Sequence, residues 1–426
     1  MAKTSIPYGD THAVKVQSAG LFAACMQRLT TLNRLVGKMP QQASAESRLK
    51  NQTSNEMPIV RCMDLTKKAG DVVDYDLIQP ITGYPIMGSE MAEGRGVPMT
   101  MAKDELRINQ ARFPISAGDT MTQQRTPHQL RGLARSAGLG FMERYEDQST
   151  LVHLAGARGF HNSSEWAIPL ASHADFAKIM INPVKAPTKN RHYMSTGTGI
   201  EPIKAGGNEI TIATTDVMNI DLVDSLRTLL DGMSLAPPPV KFQGDQMASD
   251  APMRVLLVSS EQYNSLIKST NFRTWQANAM ARAQQAKNNP LFMGEAGLWN
   301  GILIVKMPKP IRFYAGDPLR WCATASLETE TADDLVPAAF STTHAVDRAL
   351  LLGGQSLVEA FGQNKGSGAP FFWSEKELDH GDKLEILIGK IGGKSKVRFD
   401  LNHGEANLPT DFGVIAIDTA VALTGV

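Results

Sequence analysis

The chain has 426 residues, 43 of them Lys or Arg and 43 Asp or Glu, so its formal charge is zero. That balance excludes a nucleic-acid reader working through a strong positive field. Three cysteines, Cys25, Cys62 and Cys322, with no CxxC pair, exclude a disulfide framework and the common zinc spacings.

At about 150 residues per domain the length amounts to two or three domains. No apolar run approaches the roughly 18 residues of a membrane span, so a soluble protein is expected. Leu21, Cys25, Leu29, Leu32 and Val36 recur at helical spacing and Gly37 stops them, which predicts an amphipathic helix. The apolar stretch before Cys25 is only about eight residues, at the bottom of the range for a signal core. Residues 38–57 are rich in Gln, Asn and Ser and read as an extended arm.

GDVVDYDLI at 70–78 alternates, with Val73, Tyr75 and Leu77 on one side and Asp74 and Asp76 on the other, as a half-exposed strand does. A second extended run, ELRINQARFPI at 105–115, sets Arg107 and Arg112 where the first carries acids. The segment between them holds Gly83, Gly88, Gly94 and Gly96 and far exceeds the two to five residues of a hairpin loop. A loop of that length points to a role outside its own domain.

A long helix follows. Thr126 is its candidate N-cap and Pro127 its first position. Leu130, Leu133, Ala137, Phe141, Tyr145, Gln148, Val152 and Ala155 then recur at steps of three and four up to Gly156. Gly132, Ala134, Gly138 and Gly140 are assigned to its packed side. Residues 160–220 read as irregular, followed by a helix from Asp221 to Asp231, a buried strand at 254–258 and a helix from Ser260. An Ala-rich helix at 272–287 and a buried strand at 301–305 come next. KLEILIGKI, KSKVRFDL and FGVIAIDTAVAL read as three final strands with turns at GGKS and NHGEANLPTD. Strands and helices are segregated without βαβ alternation, so the fold class is α+β.

Chemistry is mostly absent from this pattern. GKIGGKSK fails as a phosphate loop because Ile388 stands where the motif needs Gly, and it reads as a β-turn with solvated lysines. The nine histidines are scattered, with no HExxH. Asp216, Asp221, Asp224 and Asp231 fall mainly on the polar side of a helix. No catalytic, cofactor-binding or metal site is assigned, and no cofactor is expected.

Several segments together carry a likeness: GDVVDYDLIQPITGYPIMGSEMAEGRG with ELRINQARFPI, then TPHQLRGLARSAGLGFMERYEDQSTLVHLAGARG, and later RVLLVSSEQYNSL, RALLLGGQSLVEAFG and DHGDKLEILIGKIGGKSKVRF with FGVIAIDTAV. In this order they resemble the major capsid proteins of tailed bacteriophages, especially the podophage type. The resemblance implies an N-terminal arm (1–57), an extended two-stranded loop (58–115) and a peripheral domain with a long spine helix and an insertion (116–220). It also implies an axial domain (221–375) and final strands (376–426) returning to the peripheral domain. A structural protein, not an enzyme, is then expected, assembling with itself into pentamers and hexamers of an icosahedral head around double-stranded DNA. Scaffolding, portal and decoration or cement proteins would be its partners, the host bacterial cytoplasm its place of assembly and the virion its destination, with no membrane and no sequence-specific DNA contact.

Within that reading Met87, Met91, Met99 and Met101 can pack on an irregular neighbour, and Glu90, Glu93 and Arg95 can pair across the contact. These seven are the candidate inter-subunit residues. Two other classes stay open from sequence: an encapsulin-like compartment shell, and an α+β enzyme whose site is assembled only in space.

Overall fold

Helical spacing between Leu130 and Ala155 produces the longest helix of the computed structural model, 26 residues closed by Gly156 at φ 66° with its N–H bonded to the Val152 carbonyl. The description covers residues 32, 35–36, 53, 56–63, 70–78, 84–87, 91, 93–96, 101–126, 128–161, 164–242, 245, 251–268, 277–278, 280–281, 297–326, 331–366, 368–402 and 407–423. The expected helix at 21–36, the arm at 38–57 and the Ala-rich helix at 272–287 lie largely outside these residues.

The α-helices defined among the described residues are α1 (Thr120–Arg125), α2 (Leu130–Ala155), α3 (Phe176–Met180), α4 (Ile220–Gly232) and α5 (Ser260–Ile267). The strands that position the site are β1 (Ile59–Cys62), β2 (Val72–Ile78), β3 (Met101–Arg107), β4 (Asn109–Asp119), β5 (His192–Ser195), β6 (Arg254–Val258) and β7 (Ile302–Lys306). They continue with β8 (His344–Leu352), β9 (Leu357–Phe361), β10 (Phe371–Leu378), β11 (Lys383–Lys396), β12 (Arg398–Asn402), β13 (Asn407–Asp411) and β14 (Val414–Ala422).

Two features of α2 differ from the sequence reading. Asp119 accepts a hydrogen bond from the Thr122 N–H and starts α1 early, so Thr126 closes α1 and Gln129 takes the N-cap of α2. The packed face of the N-terminal half also turns by one residue. Ala134, Gly138 and Met142 are buried, while Leu133 is 54% exposed. A Cβ on Gly138 would lie 2.7 Å from Cδ1 of Ile115 and closer still to Ile388, so the absence of a side chain sets how near the helix sits to the sheet. Gly132 and Gly140 have open space at the Cβ position and do not line that contact.

The sheet beneath this half has five strands, in the order β1–β9–β11–β10 with β4 on the other edge of β11. A larger eight-stranded sheet runs Gly297–Trp299, β7, β6, β8, β14, β5, Ile200–Pro202, with Arg312–Phe313 paired to β8. The C-terminal half of α2 spans to this sheet, where Leu151, Val152, Leu154 and Ala155 are buried in its main apolar core. On the other face α4 buries Leu222, Val223, Leu226 and Leu230 as its spacing requires, and the Asn219 side chain caps it by accepting from the Leu222 N–H.

Residues 160–220, read as irregular, contain α3 and the strand β5, which pairs in parallel with β14. The last strand differs from expectation too. β14 pairs with β8 from Ala422 opposite His344 to Val414 opposite Leu352, so it belongs to the eight-stranded sheet and not with β11. Apolar burial on both faces decides this, because Val414 to Val421 are all buried.

Candidate functional site

β2 and β3 form a hairpin of their own, in register from Val72 opposite Arg107 to Ile78 opposite Met101. The second strand is thus 101–107; the expected run of 105–115 is divided, and its remainder forms β4 of the five-stranded sheet. Alternation gives the hairpin one apolar face: Val73, Tyr75, Leu77, Ala102 and Leu106 pack with Val358, Val397, Phe399 and Leu401.

Polar groups then fix its base. Asp104 accepts from the Tyr75 hydroxyl at 2.6 Å and pairs with Lys185 at 2.8 Å. Burial and the neighbouring carboxylate push the Tyr75 hydroxyl well above its ordinary pKa, so it remains a donor. Asn182 accepts from the Arg107 N–H at 3.0 Å and donates to the Arg107 carbonyl at 2.9 Å and the Lys394 carbonyl at 3.0 Å. The preceding Ile181 sits at φ 62°, a strained conformation for a β-branched residue held by the packing around it.

Beyond this base the hairpin carries exposed large side chains: Tyr84 98%, Met87 73%, Met91 71% and Met101 55%. Glu93 and Arg95 are exposed as well, while Glu90 and Met99 lie outside the described residues. Met87, Met91, Glu93 and Arg95 therefore lie, exposed, in the segment that joins the two strands of an anchored hairpin. Tyr84 and the anchors Asp104 and Asn182 escaped the sequence reading; Tyr84 had one signal, an aromatic inside a Gly-rich loop, and Asn182 had none.

The other polar face also corrects an expectation. Arg107 and Arg112 do not oppose the acids of β2. Asp74 stands opposite Glu105, Asp76 opposite Lys103, and Arg107 opposite Val72. Arg112 lies in β4, because the chain leaves the hairpin after Arg107.

Among the described residues, converging titratable groups form closed ion clusters. Lys390 and Lys394 pair with Glu146 at 2.5 and 2.9 Å, and Lys390 also reaches Glu359 at 3.2 Å. Lys396 and Arg398 pair with Asp411, at 2.7 and 2.8 Å. The sequence reading of GGKS as a turn with solvated lysines is therefore wrong. β11 runs straight through it, because Gly392 and Gly393 let the backbones of Ala360 and Arg107 pass where a Cβ would stand.

Burial disfavours the charge of Glu359, but Lys394, Lys390 and Arg61 outweigh it and hold its carboxyl well below the usual range. The space beside this cluster, lined by Tyr145, Glu146, Lys390 and Lys394, is about 10 Å³, room for no more than a water. Among the described residues no three His, Cys, Asp or Glu side chains are grouped to hold a metal ion.

A sequence profile described as "Phage capsid protein" matches residues 5–423. The chain belongs to the phage capsid protein family. No curated protein matches it. Its fold is similar to that of the capsid of Ralstonia phage GP4, with 24% identity, both chains covered in full and a TM-score of 0.67. The capsid of cyanophage Pam1 matches at 16% identity over 87% of this chain and 90% of that one, TM-score 0.58. The head of Helicobacter pylori bacteriophage KHP40 matches at 9% identity over 86% and 87%, TM-score 0.53.

This capsid protein is a structural component of the virion, not an enzyme, and it acts by self-association as a major capsid subunit. The α+β class and the tailed-phage capsid fold expected from sequence are both observed. The encapsulin-like and enzymatic readings find no support.

Proposed function

We propose that the hairpin of β2 and β3 is the part of this major capsid protein that reaches a neighbouring subunit, through Met87, Glu90, Met91, Glu93, Arg95, Met99 and Met101. One observation carries the reading: the base is fixed by a buried cluster and by Asp104 and Asn182, while Tyr84, Met87 and Met91 are exposed at the far end. Exposed apolar side chains on a rigidly held support are what a partner surface covers.

In this reading the arm occupies 1–57, the hairpin region 58–115, the peripheral domain with α2 116–220 and the axial domain 221–375, and the strands of 376–426 return to the peripheral domain. The two sheets cross these bounds, since β9 and β10 of the five-stranded sheet come from 357–378 and β5 of the eight-stranded sheet from 192–195. Subunits close into pentamers and hexamers of an icosahedral head that encloses double-stranded DNA without reading its sequence, consistent with zero net charge. Assembly takes place in the host bacterial cytoplasm with scaffolding and portal proteins, and decoration or cement proteins bind outside.

The test replaces residues 79–100 by Asn-Gly, which suits the Ile78–Met101 pair because a two-residue turn joins directly opposed residues. The variant keeps the circular dichroism of the parent and fails to form closed shells on sedimentation. Shells of normal size and stability from this variant would contradict the reading.

A further inference from the structure

Arg158 stands two residues beyond Gly156, where α2 ends, and is only 2% exposed. Its guanidinium carries five N–H donors. Nε donates to the Ile168 carbonyl at 3.2 Å, and Nη1 donates to the carbonyls of Gly159 and His161, each at 3.1 Å. Nη2 is buried with no hydrogen-bond partner. Arg312, Arg348 and Arg398 are buried too, but each holds a carboxylate, of Asp347, Asp418 and Asp411 in turn. Arg158 holds none among the described residues. Burial lowers its pKa to about 10, and no acidic neighbour acts in the other direction.

Beside it lies a second unpartnered donor. The guanidinium carbon is 4.4 Å from the centre of the Trp166 ring. Trp166 is 7% exposed, and its Nε1–H is also buried without an acceptor. Gln148 clamps the backbone on either side of this residue, donating to the Glu165 carbonyl at 3.1 Å and accepting from the Ala167 N–H at 2.6 Å. Arginine and indole are thus fixed one over the other.

This pair offers donors and no acceptor. A full positive charge is costly to bury unless an opposite charge compensates it. The three carbonyls and the negative end of α2 offset part of that cost, but they are dipoles. A water molecule would accept one of the N–H groups and bring two more donors of its own, whereas an anion brings none. Because Nη2 and Nε1 are closed off from solvent, a carboxylate on another subunit cannot reach them. A small ion enclosed as the subunit folds can.

We infer that Arg158 and Trp166 form a buried site for a monovalent inorganic anion of the size of chloride. The ion neutralises the guanidinium and holds the segment that leaves α2 against the main apolar core, to which Trp166 and Ile168 belong.

Unfolding of the unassembled full-length subunit tests it, in sodium chloride and in sodium gluconate of equal ionic strength, gluconate being too large to be enclosed. An anion that binds only the folded chain raises the folded-to-unfolded ratio about tenfold for each tenfold rise in its concentration above the dissociation constant. Chloride should do so and gluconate should not. Arg158→Met should abolish the difference between the salts. Trp166→Phe keeps the aromatic face and removes the N–H, so it should move the chloride dependence to about two- to tenfold higher concentration, the worth of one hydrogen bond. This second variant decides the matter even if Arg158→Met does not fold.

Equal stability of the parent in the two salts would overturn the site and leave Arg158 served by carbonyls and the indole alone. A chloride effect that persists in Arg158→Met, or that Trp166→Phe leaves at the same concentration, would overturn it as well.

Discussion

Lys390 on β11 and Glu146 on α2 form an ion pair of 2.5 Å at a point where Lys390 is only 4% exposed. Glu359 on β9 and Arg61 on β1 complete the cluster, with Arg61 2.8 Å from Glu359. It ties the long helix to three strands of the five-stranded sheet. Burial lowers the affinity of Lys390 for its proton, but Glu146 and Glu359 outweigh this and raise it. Lys390→Met should cost about 1–3 kcal/mol, since it removes the charged hydrogen bond to Glu146 while Lys394 and Arg61 still face the two carboxylates. Urea unfolding of the unassembled subunit measures it; a loss below about 1 kcal/mol would mean the cluster is solvated.

Two glycines of α2 should respond in opposite directions. Gly138→Leu forces a side chain against Ile115 and Ile388 and should destabilise by at least about 1–3 kcal/mol. Gly132→Ala meets open space inside a helix and should stabilise by about 0.4–1 kcal/mol. Thermal melts of the two variants check both signs. A Gly138→Leu protein as stable as the parent would contradict the close approach of helix and sheet.

Acid should weaken the subunit in two stages. Burial, with Lys394 and Lys396 nearby, lowers His153 from 6.5 to about 3, so the unfolded chain binds a proton that the folded chain refuses. This contribution is complete above pH 6.5 and is lost as pH falls toward 3. His192 is lowered by burial and shifts in the same direction. Asp411, held down to about 2 by Arg398 and Lys396 against its burial, and Glu359 add a second loss below about pH 4. His153→Phe should flatten the slope of stability between pH 6.5 and 4.5 by up to about 1.4 kcal/mol per pH unit. Urea midpoints across that range give the slope, and an unchanged slope would show that His153 is protonated in the folded subunit.

Much of this architecture was legible where burial follows sequence period. The alternation in VVDYDLI assigned Val73, Tyr75 and Leu77 to the packed face, and the spacing of Leu222, Val223, Leu226 and Leu230 found α4. Close approach was not legible in the same way. Gly392 and Gly393 look like a turn in sequence, yet they serve a straight strand crossed by other backbones, and only the pairing of β9 with β11 reveals it. The face of α2 turned by one residue because Gly138, with no side chain, governs the packing that Leu133 and Ala137 were expected to make. For the hairpin, length and composition identified the segment, but the anchors Asn182 and Lys185 come from a region with no periodic signal.

A cryo-electron microscopy reconstruction of shells assembled from the purified protein shows whether this hairpin bridges neighbouring subunits. Density for residues 84–95 should lie against an adjacent copy, covering Met87 and Met91. Density that folds back onto its own subunit, or projects into solvent with no neighbour in contact, would contradict the account.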